Sequence, residues 1–328
     1  MNSPPFISDP DYCRKLFSPY KNRIDKKIKS ILAVKAERKG GFLDRSFQVR
    51  YKVLAKKING RRIKVAFWGL SSPDPTRLQS WRVMDYLWKK DFSSGKYCIP
   101  QPLAFVKRHS MVITREIKGE TFLDILRIKT LREISSAFKK IAGWLKKLHK
   151  TPSYRFQDVF SSSYSRAYWR EQFRILKKGF PRRIKFLKNI IGEILDWENQ
   201  NRKSHNRVIT HHDFHPKNIF LKGRKIWVLD FSESRLSRPI VDVLVFLCQL
   251  DLINRQQIKR FSLNNLKNFS KIFLKEYFGQ NWRKILKNPN FKKDFIILKK
   301  RIALQALVGS LLFGEKPKIF SDIIFDKN

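Results

Sequence analysis

A chain of 328 residues with 42% hydrophobic content can bury one large core or two modest ones, which excludes a disordered tail. Lys and Arg number 71 against 27 Asp and Glu, a net charge of +44. Total charged content is only 30%, against a usual value of about 25%, so acid is missing as well as base added. That balance predicts an anionic partner such as a phosphorylated saccharide, an acidic membrane leaflet or nucleic acid. A lysine-rich genome is the plainer explanation, and it accounts for the lysines better than for the scarcity of Asp and Glu. Cys13, Cys98 and Cys248 are too few and too scattered for a disulfide framework and fit a reducing compartment. The first residues lack the charged-then-apolar order of a signal peptide. The longest apolar runs, Ile240 to Leu250 and Ile302 to Phe313, fall short of the about 20 residues of a membrane span. The expected location is the cytoplasm.

In chain order, residues 14 to 39 are strongly basic, and Ile31 to Val34 is apolar enough for a first strand. Gly40 and Gly41 follow; such a pair is either a plain hairpin turn or a loop whose backbone N–H groups approach phosphate. Phe47, Val49, Tyr51 and Val53 alternate along a strand from Ser46 to Leu54. Asn59-Gly60 then turns the chain, and Ile63, Val65 and Phe67 alternate from Arg61 to Trp68. These predict an antiparallel sheet. Pro73-Asp74-Pro75 starts a helix on which Trp81, Met84, Leu87 and Trp88 recur at helical spacing. Ile134, Phe138, Ile141, Leu145 and Leu148 make a helical stripe ended by Thr151-Pro152. Two more helices are predicted at 165–178 and 181–197, carrying a dense basic stretch from Arg166 to Lys188, and the chain beyond Asp251 again reads as helical.

The most informative segment runs from Val208 to Asp230. Ile219 to Leu221 and Lys225 to Leu229 are strand-like runs separated by Lys222-Gly223-Arg224, which predicts two antiparallel strands and a tight turn. A hairpin brings its ends together, so Asn218, entering it, and Asp230, leaving it, are expected to reach one divalent cation with Asp213 beside them. Oxygen ligands of this kind suit Mg²⁺, which completes its shell with water and substrate phosphate. A zinc cluster of His211, His212 and His215 is the alternative, but it needs further ligands at suitable spacing, and the cysteines stand apart.

The pattern His211-x-Asp213-x-His215-Pro-x-Asn218, followed twelve residues later by Asp230-Phe231, resembles the catalytic and metal-binding loops of the aminoglycoside phosphotransferase and choline kinase group, which is similar in fold to the protein kinases. The resemblance implies that Asp213 orients the acceptor hydroxyl and takes its proton, that Asn218 and Asp230 hold Mg²⁺ on the phosphates of ATP, and that His211 buttresses the loop. His215 would occupy the slot where protein kinases usually carry a lysine. Ser237 to Phe246, with Pro239 and Asp242, is similar to a family segment whose aspartate is structural. Gly40 to Val49 resembles the nucleotide loop, with Asp44 and Phe47 replacing Asn and Tyr, which would put Gly40 and Gly41 at the phosphates. Met111 to Phe122 is similar to the strand and hinge, where the backbone around Glu116 would meet adenine.

One departure stands out. The family's third strand carries a phosphate-gripping Lys paired to a Glu on the following helix, yet no glutamate occurs between Glu37 and Glu116. Lys64 is the only lysine on a strand face shared with Ala66 and Trp68, with Asp85 as a shorter partner; in another register the slot falls at Ala66 or Trp68.

The expected fold is therefore α/β (α+β), protein kinase-like and bilobal: residues 1–116 an antiparallel-sheet N-lobe with one helix, residues 117–328 a helical C-lobe carrying the catalytic loop and metal hairpin. The expected reaction is ATP- and Mg²⁺-dependent phosphoryl transfer to a hydroxyl of a small molecule or saccharide. The acceptor is expected to be anionic because of the +44 charge, and an aminoglycoside is disfavoured because a polycation wants an acidic pocket and this chain has few carboxylates to line one. A peripheral contact with an anionic inner membrane face is expected at Arg166 to Lys188. Two other classes compete. A kinase fold kept as a binding or scaffold protein is suggested by the missing helix glutamate. A nucleic-acid-binding protein is suggested by charge alone, and weakened by basic residues spread along the chain and aromatics at core-facing spacing.

Overall fold

The computed structural model describes residues 9–42, 46–72, 76–153 and 162–313, and the fold is mixed α+β. The chain forms two compact units: Met1–Gly119 with Phe220–Glu233, and Glu120–Ile219 with Ser234–Asn328. The segment Phe220–Glu233 thus groups with the first unit, whereas a boundary at 116/117 assigns it to the second.

The first unit opens with α1 (Pro10–Phe17), capped by Asp9, whose carboxylate accepts from the backbone N–H groups of Asp11 and Tyr12 at 2.8 and 3.1 Å. The one-turn α2 (Lys21–Ile24) follows. Strands β1 (Ile28–Phe42), β2 (Ser46–Lys57) and β3 (Arg62–Ser71) form the predicted antiparallel run, with Gly60 at φ 81° in the turn between the last two. Helix α3 (Thr76–Leu87) and β4 (Tyr97–Cys98) lead to β5 (Pro102–Val106) and β6 (Met111–Arg115), which complete a five-stranded sheet of order β1-β2-β3-β6-β5. β1 is much longer than the four apolar residues that announce it. Its charged stretch stays extended because Glu37 takes Lys52 from the neighbouring strand at 2.6 Å and Lys39 at 3.1 Å.

Strand alternation splits this sheet into two functional faces. Phe47, Val49, Tyr51, Val53 and Phe67 are buried against Cys13 and Phe17 of α1. The intervening residues fall on the other face, where the register sets Arg50 against Trp68, Lys52 against Ala66 and Leu54 against Lys64. Gly40 and Gly41 lie within β1, paired with Gln48 and Phe47 after an irregularity between Arg38 and Gly40, and not in the turn itself. The turn residue Asp44 lies outside the described residues, as do Pro73 to Pro75.

The second unit begins with β7 (Glu120–Thr121) and α4 (Phe122–Ile128), then α5 (Leu131–Lys150), which starts in a reciprocal Thr130–Glu133 capping box. All five residues of the predicted α5 stripe are fully buried. Helices α6 (Ser162–Gly179) and α7 (Ile184–Lys203) follow, then β8 (Val208–Thr210). The hairpin β9 (Ile219–Lys222) and β10 (Lys225–Val228) forms as predicted around Gly223 at φ 57°. Within the first unit β10 runs parallel to β4, Ile226 opposite Tyr97 and Trp227 opposite Cys98, which explains the grouping of this segment. The chain returns through β11 (Arg235–Ser237), antiparallel to β8, and ends in α8 (Ile240–Ile253), α9 (Leu263–Phe278), α10 (Trp282–Lys287) and α11 (Pro289–Phe313). Phe246 of α8 anchors this unit's aromatic core, stacking on Phe273 at 4.6 Å and meeting Phe138 and Phe214 at 5.7 and 5.5 Å.

Candidate active site

The loop after β8 is built around a carboxylate from a different element. Asp242, fully buried in the first turn of α8, accepts the backbone N–H of His211 on Oδ2 and of His212 on Oδ1, both at 2.7 Å. His149 Nε2 of α5 approaches Oδ2 at 2.9 Å, and its Nδ1 meets Tyr277 of α9. Burial of this carboxyl group is compensated by the two backbone donors and the contact with His149. The His211 ring is buried and packs edge-on to Phe214, centroids 6.0 Å apart, so it holds the loop from behind. His212 sits at φ 63° with both ring nitrogens buried and no hydrogen-bond partner among the described residues.

Asp213 emerges from this anchored stretch. Its Oδ2 accepts from Asn218 Nδ2 at 2.9 Å and lies 3.3 Å from His215 Nε2. The His215 Nδ1 accepts the Lys217 backbone N–H at 3.2 Å, so in the neutral imidazole the ring proton belongs on Nε2, facing Asp213. Burial pushes the Asp213 carboxyl up, but the hydrogen bond from His215, the charges of His215 and His211 and the bond from Asn218 outweigh it. Asp213 therefore lies below the ordinary carboxylate range and is ionised at neutral pH. Asn218 Nδ2 also donates to the Asp213 carbonyl at 3.0 Å. Both of those partners are acceptors, which fixes the amide orientation and leaves Asn218 Oδ1 as a hard oxygen ligand.

Asp230 follows the hairpin in the first unit at φ 60°. Arg77 Nη1 of α3 reaches its Oδ1 at 3.3 Å, and the Ser232 backbone N–H donates to the same oxygen at 3.4 Å. The second oxygen, Oδ2, has no partner among the described residues. Asn218 Oδ1 in the second unit and Asp230 Oδ2 in the first are thus each left open among the described residues, and each is a hard oxygen of the kind Mg²⁺ takes. Among the described residues no three His, Cys, Asp or Glu side chains are grouped to hold a metal ion, so the histidines form no zinc centre.

The polar face of the sheet in the first unit borders a cavity of about 970 Å³. Lys35, Lys52, Lys64, Arg115, Lys118 and Lys225 line it beside Ala66, Trp88 and Trp227. Lys64 is in the wall and makes no hydrogen bond or ion pair among the described residues. Asp85 is not its partner: it is held by Arg23 at 2.7 Å and Lys89 at 2.6 Å. Glu116 is also in the cavity wall, but its carboxylate is taken by Arg50, Nε to Oε1 at 2.7 Å and Nη2 to Oε2 at 2.9 Å, with Trp68 Nε1 donating to Oε1 at 3.1 Å. Its backbone N–H is spent on the Ala66 carbonyl at 2.9 Å. Any adenine contact at this residue therefore falls to its carbonyl and the residues after it.

Arg50 and Arg77 are the functional candidates that motif reading passes over. The signal for Arg50 is register, since it shares the face of Lys64 across two strands. Arg77 carries the opposite sign of charge to the glutamate that the family pattern places on this helix.

The fold is that of the kinase-type phosphotransferases, which act on a hydroxyl acceptor. The chain belongs to the phosphotransferase enzyme family, whose model matches residues 44–285. Among solved structures it is similar to the streptomycin-ATP-APH(2″)-IIa ternary complex, with a TM-score of 0.56 and 14% identity over 100% of this chain and 98% of that one. It is similar to Plasmodium vivax ethanolamine kinase, TM-score 0.57 and 14% identity over 97% and 82%. It is also similar to choline kinase from Cryptosporidium parvum, TM-score 0.55 and 13% identity over 96% and 92%. No curated protein matches the chain in sequence.

Proposed function

We propose that the protein transfers the γ-phosphoryl group of ATP to a hydroxyl of a small molecule or saccharide, in a Mg²⁺-dependent reaction with Asp213 as the base. The observation that carries this reading is the placement of the Asp213 carboxylate, fixed by Asn218 and His215 on a loop anchored through Asp242. The acceptor oxygen forms its bond to the γ-phosphorus as the bond to the β,γ-bridging oxygen breaks. The hydroxyl proton passes to Asp213 and ADP leaves.

Asn218 Oδ1 and Asp230 Oδ2 would hold Mg²⁺, which supplies neutralisation of charge developing on the phosphates. The cations lining the cavity of the first unit, Lys64 among them, would meet the nucleotide phosphates, with the backbone N–H groups of Gly40 and Gly41 as further candidates. The solved complex with streptomycin and ATP is support by analogy of fold alone.

Calorimetry of ATP with and without Mg²⁺ tests the reading on the wild type and on Asp230→Ala. The expected result is Mg²⁺-dependent binding that the substitution abolishes; equal affinity in both proteins contradicts it.

A kinase fold kept for binding remains the second reading, because Asp85 does not pair with Lys64 and Trp68 stands on the strand face where a lysine belongs. It predicts Mg²⁺-nucleotide binding without turnover.

A cationic acceptor is disfavoured, since among the described residues Asp213 is the one carboxylate lining the cavity beside it, and an anionic acceptor would meet Lys217 as the one lysine or arginine among them there. A peripheral contact with an anionic surface is assigned to α6 and α7, where Arg166, Arg170, Lys177, Lys178, Lys185 and Lys188 are all exposed. No helix among the described residues is long and apolar enough to cross a membrane.

A further inference from the structure

The cavity beside Asp213 has walls from two helices. Helix α8 runs on into a single π-helical turn, Asn254–Ile258, closed by Lys259 at φ 50°. Gln249, Leu252, Ile253 and Gln256 recur at spacings of three, four and seven, so one face of this continuous helix is presented to the cavity. From α11 come Ile302, Gln305 and Ala306, again one face. Asp213, His215 and Lys217 form the third side, and the volume is about 370 Å³. That is near the small end of the about 300–1,000 Å³ of small-molecule sites, room for a molecule of monosaccharide size.

Three amides in this wall are unspent. Gln249, Gln256 and Gln257 make no side-chain hydrogen bond among the described residues. Gln305 donates Nε2 to Tyr168 Oη at 2.9 Å, which leaves its carbonyl oxygen. The contrast with Asn254 in the same π turn is instructive. Its amide is consumed structurally, donating to the Phe261 carbonyl at 3.0 Å and accepting the Phe261 N–H at 3.2 Å. The two helical walls present no charged side chain among the described residues: Asp251, one turn from the amides, faces Arg255 at 3.0 Å and lines no part of the cavity. The floor is apolar, with Leu252, Ile253 and Ile302 buried to 3, 4 and 4% exposure.

We propose that this cavity is the acceptor site and that its ligand is an uncharged polyhydroxylated molecule of monosaccharide size; this rests on the phosphotransferase reading above. Carboxamides both donate and accept, as a hydroxyl demands of its partners, and one rotatable amide serves either role. An apolar floor takes the C–H face of a sugar ring. An ammonium-bearing acceptor would need carboxylates, and Asp213 is already committed to His215 and Asn218. The net charge of +44 speaks to the protein's outer field, while the acceptor is selected by the groups it touches, and on the two helical walls these are carboxamides and apolar side chains. In the reaction one ring hydroxyl, held by the amides beside Asp213, forms its bond to the γ-phosphorus while the bond to ADP breaks and its proton passes to Asp213. The product is a sugar or polyol monophosphate.

The test uses the full chain with Mg²⁺ and ATP labelled at the γ-phosphorus, against neutral monosaccharides and polyols, amino sugars, and sugar phosphates with uronic acids. Binding of the same three panels to the Asp213→Asn protein is followed in parallel by calorimetry. The expected result is transfer to the neutral panel, with KM for that acceptor raised about tenfold by Gln249→Leu or Gln256→Leu, the loss of roughly one hydrogen bond, and KM for ATP unchanged. Neutral sugars that bind, and lose binding in the glutamine variants, without any phosphoryl transfer would leave the site standing and remove the phosphotransferase reading. Transfer confined to amino or acidic sugars, transfer indifferent to both glutamine variants, or no binding and no transfer across the neutral panel would overturn the proposal.

Discussion

Arg77 and Ser232 both meet Asp230 through the same oxygen, Oδ1, at 3.3 and 3.4 Å, so the carboxylate is fixed at one end and open at the other. The arginine therefore positions the open oxygen. It leaves Oδ2 to a cation, in a backbone conformation, φ 60°, that an aspartate adopts at a cost. With Arg77 side-chain exposure of 15%, the pair is screened only in part. Arg77→Met should raise the Mg²⁺ concentration for half-maximal ATP binding by about tenfold, in line with the about 1.5–3 kcal/mol of a hydrogen bond to a charged group. Arg77→Lys should recover part of that loss. Titration of Mg²⁺ at fixed ATP measures it, and an unchanged midpoint in the Met variant would remove Arg77 from the account.

Lys64 and Asp85 should behave as strangers. Lys64→Ala is expected to raise the KM for ATP several-fold, because Lys64 stands in the cavity wall with no ion partner of its own. Asp85→Asn should leave that KM alone and lower stability by about 1 kcal/mol, the order of a partly exposed ion pair, through loss of its links to Arg23 and Lys89. Steady-state kinetics beside thermal melting separates the two. A matching rise in KM for both variants would restore the pairing that the geometry denies.

The contrast shows where sequence was sufficient. The hairpin, its glycine turn, the α5 stripe and the buried alternation of β2 were legible because each is a local pattern of apolar residues and turn chemistry. Asp213, His215 and Asn218 meet because they lie within six residues on one loop. Arg50 with Glu116, and Arg77 with Asp230, lie 66 and 153 positions apart, and no local period links them. The length of β1 was hidden for a related reason: its charged middle reads as loop until Lys52 from the next strand is in place.

His212 should make the fold acid-sensitive. Burial, followed by the charges of Arg235, Arg301, Arg202 and His211, holds its imidazole well below the ordinary value. In the unfolded chain it takes a proton near pH 6.5. Below that pH the unfolded state therefore binds more protons, so stability is full above about 6.5 and falls as pH drops toward the folded value. His212→Asn keeps a residue tolerant of φ 63° and removes the titration. Melting temperatures from pH 7.5 to 5 should decline less steeply for the variant; parallel curves would contradict the assignment.

The basic surface of α6 and α7 predicts salt-sensitive sedimentation with anionic vesicles. At about 1 kcal/mol for each Lys or Arg near such a surface, replacing Lys177, Lys178, Lys185 and Lys188 by Gln should release most of the bound protein at physiological salt. Equal sedimentation with neutral vesicles would assign these residues to solvent alone.

The central claim is that Asp213 is the base of a phosphoryl transfer. The most direct measurement is the single-turnover rate of label passing from γ-labelled ATP to acceptor in the wild type and in Asp213→Asn, with nucleotide affinity measured on both. Asn preserves the shape beside His215 and Asn218, so the account predicts ATP affinity within about twofold and a rate lower by roughly 10²–10⁴. Near wild-type transfer by the Asn variant would contradict it.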